Sequence, residues 1–113
     1  MEDVSSSSAD DGARRAGHLL SLLADGDRAA VGELLAGLDV RDLTFTGAGL
    51  TAIARAEGRR LPTAQRAQAS TRQFRLGQVR DACRRDPDGL REWLVGAAEE
   101  VLFLRALLGA VTG

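Results

Sequence analysis

The segment DPDGLREWLVGAAEEVLFLRALL, residues 86–108, decides the fold of this chain. It opens on a helix start signal: Asp86 can accept amide hydrogens that have no partner in a first turn, and Pro87 suits a position whose own amide needs none. After it, Leu90, Leu94, Ala97, Val101, Leu104 and Leu108 recur at three- and four-residue intervals, which keeps them on one side of a helix turning about 100° per residue. The spacing predicts a helix to about Leu108. Leu102, Phe103 and Leu107 fall off that stripe, so the second half of the helix is apolar around much of its circumference. Either the helix is central in a bundle, or it carries an exposed apolar patch that docks a second copy or another protein. Trp93, Leu102, Phe103 and Leu107 are the expected interface residues, Trp93 being equally suited to anchor a core.

The same period recurs upstream. Residues 64–85 are rich in alanine, glutamine and arginine, contain no proline, and offer Ala67, Phe74, Leu76, Val79 and Cys83 as candidate buried positions, with Thr63 as the candidate cap. Leu50, Ile53 and Ala54 give helical spacing over 50–57, with Gly58 expected to stop it before an Arg59-Arg60-Leu61-Pro62 connector. Val31, Leu34, Leu35 and Leu38 line one face of a helix that Asp27 can cap. Ala16, Leu19, Leu20, Leu22 and Leu23 line another, ended by Asp25-Gly26. Between Asp39 and Gly49 the mixture of β-branched residues and glycine predicts a short irregular segment. Residues 1–12 hold too few apolar side chains to repay ordering and are expected to form a disordered, acidic and serine-rich leader before a single domain at 13–113. The whole is expected to be all-α, a compact bundle of four to five helices with no sheet.

Composition bounds the function. A chain of 113 residues that is 44% hydrophobic can build one modest core. One cysteine, Cys83, forms no internal disulfide and no cysteine-based zinc site, and the first residues lack the basic and apolar regions of a secretory signal; a cytoplasmic location is expected. Glu99, Glu100 and Arg105 interrupt the most apolar stretch, which argues against a membrane span. The net charge of −1 argues against bulk electrostatic coating of nucleic acid or membranes.

Charge distribution says more than the total. All fifteen basic residues are arginine, and residues 55–85 hold nine of them against Glu57 and Asp81, between acidic flanks. Such a segment can meet phosphate or an acidic partner, or pair with the chain's own carboxylates. On an ideal helix Arg66 and Arg80 share a polar face with Arg84 and Gln73, while Arg72 and Arg75 turn toward the apolar side and are expected to meet Glu92, Glu99 or Glu100. Arg59, Arg60, Arg66, Arg80 and Arg84 are the candidate contacts for nucleic acid or an acidic partner. A helix-turn-helix centred on Gly58 fits poorly, because Glu57 and Arg59 take inward positions and Pro62 enters the turn. Thr46-Gly47-Ala48-Gly49 lacks the third glycine of a dinucleotide-binding turn. His18, the one histidine, has no nucleophile or ligand spaced around it, and Glu99 and Glu100 point about 100° apart rather than converging.

No catalytic residues, cofactor, metal or small-molecule substrate are expected. The expected function is a noncatalytic interaction module, an adaptor or regulatory subunit, forming a homodimer through the last helix or docking another protein. Nucleic-acid binding through segment 55–85 is the alternative.

Overall fold

Two aspartates and a glycine divide the first forty residues. Gly26 takes φ 75° and turns the chain out of the first helix. Asp27 accepts the Ala30 amide at 3.1 Å and Asp39 the Asp42 amide at 2.8 Å, each starting a new helix. The computed structural model describes residues 4–112 and contains α1 (Val4–Ala24), α2 (Arg28–Ala36), α3 (Val40–Arg59), α4 (Thr63–Ala82) and α5 (Pro87–Thr112). The chain is an all-α bundle, with no strand among the described residues. None of these helices is long and apolar enough to cross a membrane.

Helices α3 and α5 form the centre of the bundle: α5 packs against α1, α3 and α4, and α3 against α1, α4 and α5. All six residues of the α5 stripe are buried, together with Trp93 and Ala98. Ala16, Leu19 and Leu20 of α1, Val31 and Leu35 of α2, Leu43, Leu50 and Ala54 of α3, Leu61 between α3 and α4, and Ala69 of α4 complete the core. Arg91 of α5 donates from Nε to the Leu35 carbonyl at 3.0 Å and from Nη2 to the Leu38 carbonyl at 3.1 Å, which ties α5 to the end of α2 and the turn after it.

Three expectations need correction. The expected leader is helical from Val4, while residues 1–3 lie outside the described residues. The expected irregular segment at 39–49 is the first half of a continuous α3, which ends at Arg59, one residue past the expected stop at Gly58. Both follow from close helix packing. A Cβ on Gly12 would overlap the Phe45 backbone, and one on Gly49 would come within 3.1 Å of the Ala16 Cβ. Gly47 leaves the space that the Trp93 ring fills. Thr44 and Thr46 donate back to the Val40 and Asp42 carbonyls at 2.7 and 2.8 Å, which settles their hydroxyls within the helix. Glycine here permits contact instead of breaking the helix.

The third correction concerns α4. Ala69 alone of its twenty residues is buried. Phe74 and Val79 are 69% and 54% exposed, Ala67 is exposed, and Leu76 and Cys83 are half-buried against the core. Thr63 does not cap the helix; Pro62 occupies that position without a side-chain hydrogen bond. The body-facing side of α4 is mixed, with Arg72, Gln73 and Arg80 among its apolar residues, so the helix stands partly off the bundle. The radius of gyration, 14.2 Å, is accordingly larger than the roughly 13 Å of a closely packed chain of this length.

Candidate functional site: the groove between α3 and α4

The space left by the splay of α4 is a groove of 740 Å³. Leu50, Thr51, Ala54, Arg55, Gly58 and Arg59 form one wall, a single face of α3. Arg66, Ala69, Ser70, Gln73, Phe74, Gly77, Arg80 and Asp81 of α4 contribute the other, with Trp93 and Ala97 of α5 beneath. The floor is apolar because it is the edge of the core: Leu50, Ala54, Ala69, Trp93 and Ala97 are all buried in the bundle. The rim is cationic, with four guanidinium groups and one carboxylate, Asp81.

Few of those charges are compensated. Asp81 accepts from Arg80 Nε at 3.4 Å, and the Arg80 guanidinium lies 5.9 Å from the centre of the Trp93 ring. Arg59 donates from Nε to the Arg55 carbonyl at 3.3 Å, and Arg66 turns Nε and Nη2 onto the Leu61 carbonyl, both at 3.3 Å. These carbonyl contacts orient guanidinium groups without neutralising them. Arg55 and Arg59 are also one turn apart on α3, a like-charge pair that weakens an isolated helix by a few tenths of a kcal/mol.

Besides the approach of Arg80 to the Trp93 ring, a hydrogen bond and an ion pair hold α4 beside α5. Trp93 donates from Nε1 to the Leu76 carbonyl at 2.8 Å, which satisfies its indole where the ring is buried. Arg72 reaches Glu100 at 2.6 Å with its guanidinium 4.0 Å from the centre of the Phe103 ring. Glu100 is buried, and its Oε1 has no hydrogen-bond partner. Arg72 pairs with a carboxylate of the last helix as the helical geometry predicts, whereas Arg75, expected to do the same, is exposed and forms no ion pair among the described residues.

The expected contact residues divide. Arg59, Arg66 and Arg80 come together in the groove. Arg60 instead pairs with Glu57 at 3.3 Å, and exposed Arg84 does not line the groove. Glu57 also meets Arg105 at 3.5 Å, so α5 is tied to the end of α3 as well. Of the expected interface on the last helix, Trp93 is a core residue that floors the groove, Leu102 and Leu107 are half-buried against the core, and Phe103 is 45% exposed beneath Arg72. Arg55, Ala54 and Phe74 belong to the groove and were not expected there. The signal for Arg55 is its i, i+4 relation to Arg59; Phe74 carries none, since an aromatic side chain in a helix is read as core.

His18 is exposed. Cys83 is half-buried; burial, and then the charges of Asp86 and Glu92, hold its thiol above the usual cysteine range. Among the described residues no group of three or more histidine, cysteine, aspartate or glutamate side chains is placed to hold a metal ion. Comparison with protein-family models, curated proteins and solved structures finds no match to this chain.

Proposed function

We propose that this chain is a noncatalytic helical interaction module, an adaptor or regulatory subunit, that receives a helix of a protein partner in the groove between α3 and α4. One observation carries the reading: a twenty-residue helix with a single buried side chain borders a groove whose floor is apolar. Helices in proteins owe most of their stability to a packed face, and α4 has little of one. A partner helix laid against α3 and α4 supplies it. Amphipathic helices bind in this manner, placing i, i+3, i+4 and i+7 side chains in an apolar groove.

Filling the groove tests the reading. Ser70→Trp, on the α4 wall, should abolish partner capture from nuclease-treated native extract while leaving the circular dichroism spectrum unchanged. Identical capture by wild type and a folded Ser70→Trp variant sinks it. The nucleic-acid reading draws support from Arg59, Arg66 and Arg80 sharing a groove with exposed Phe74, since single strands bind to cationic grooves and stack on aromatic rings. A mobility shift with single-stranded probe at low salt, lost in Arg66→Glu and retained in Arg84→Glu, would favour that alternative.

A further inference from the structure

We infer that the occupant of the groove is an acidic amphipathic helix, with carboxylates flanking its apolar face; this rests on the docking reading and names the partner's chemistry. Size comes first. The α4 wall from Arg66 to Asp81 runs about 22 Å at 1.5 Å per residue. A partner helix of about 15 residues matches that length and is roughly 10–12 Å across; because the floor residues are closed off in the core, it lies over the groove and sends one row of side chains in. The helix body then rests on the rim.

The rim is where the arginines are. Arg55 and Arg59 stand one turn apart on α3, and Arg66 and Arg80 stand on α4 across the groove. Asp81 is the sole carboxylate of the lining, which leaves three positive charges in excess. A docked helix therefore has guanidinium groups along both flanks. Carboxylates at i and i+4 on one flank match the spacing of Arg55 and Arg59, and the planar guanidinium fork suits them geometrically. A basic helix would be repelled, and a neutral one would leave the charges unmet. Phosphate would meet the arginines but gain nothing from Phe74, the exposed apolar side chain of the groove lining.

The test uses the full chain and three probes: a 21-residue peptide with a leucine stripe flanked by glutamates, the same peptide with glutamines, and a 15-nucleotide oligothymidylate. Trp93 is the one tryptophan and lies at the groove floor, so its fluorescence reports binding. The glutamate peptide should bind at least about tenfold more tightly than the glutamine peptide. Arg55→Gln with Arg59→Gln should lower that affinity about tenfold, whereas Arg14→Gln, outside the groove lining, should not. If the double variant loses helicity, raising salt on the wild type replaces it: binding of the glutamate peptide must weaken and that of the glutamine peptide must hold. Equal binding of both peptides overturns the acidic partner and leaves the docking reading standing. No binding of either peptide overturns both, and tighter binding of oligothymidylate overturns both in favour of nucleic acid.

Discussion

Gly47 and Gly12 do their work by lacking a side chain. In an exposed helix, glycine to alanine gains about 1 kcal/mol of intrinsic helix stability. At position 47 the added methyl overlaps the buried Trp93 ring, and at position 12 it overlaps the Phe45 backbone, which cannot rotate away. Overpacking of this kind costs about 1–3 kcal/mol, more than the helix gain. Gly47→Ala and Gly12→Ala should therefore lower the urea midpoint, while Gly17→Ala, with nothing within 4 Å of its Cβ, should raise it. Equal behaviour of the three would mean that α3 does not approach α1 and α5 as described. Cys83 offers a second measurement. Burial, Asp86 and Glu92 all disfavour its thiolate, so the folded state binds the thiol proton more tightly than the unfolded state. The alkylation rate should reach half its maximum at a higher pH in the folded chain than in urea. Below the unfolded pKa this linkage has no effect on stability, and it becomes destabilising as pH rises from there through the folded pKa.

At the scale of elements, α4 is the least anchored helix, and its amides should exchange with solvent faster than those of α3 and α5. Arg72→Ala should sharpen the contrast, because it leaves buried Glu100 without its cation; a loss of about 1–3 kcal/mol is expected, allowing for the partial exposure of Arg72. Uniform exchange along the chain, with or without Arg72, would contradict the picture of α4 as a wall held by few contacts. The same helix shows where sequence reading stops. Leucine stripes identify α1, α2 and α5 because each carries its buried apolar residues at helical spacing. In α3 the glycines predict a break, since helix propensity does not register the Trp93 ring and Phe45 backbone that require small residues. In α4, Phe74 and Val79 read as core although they lie away from its body-facing side, and Ala69 takes the buried position. Arg59, Arg66 and Arg80 were legible as candidates from local charge. Their convergence was not, because it depends on the angle between two helices that share little packing.

For the whole molecule, the question is which surface makes contacts with other molecules. On α5, Phe103 and Val111 are the exposed large apolar side chains among the described residues, and Arg72 covers part of the first. A half-exposed phenylalanine offers about 100 Å² of a full aromatic side chain's 150–250 Å², against about 800 Å² per partner in a standard interface. The chain should therefore sediment as a monomer, and Phe103→Glu should sediment identically; a wild-type dimer that the substitution dissolves would return the interface to α5. For the docking proposed at the groove, kinetics can tell where its charges act. Its excess of positive charge is local, in a chain whose net charge is −1. Arginines on the rim attract an acidic helix before contact, but stay solvated once it is seated. Raising salt from 0.05 to 0.5 M, which shortens the Debye length from about 14 to about 4 Å, should slow association of the glutamate peptide and leave dissociation nearly unchanged. A salt effect concentrated in dissociation would place the carboxylates inside the groove beside Trp93, where breaking each pair exposes a charge that had been cut off from water.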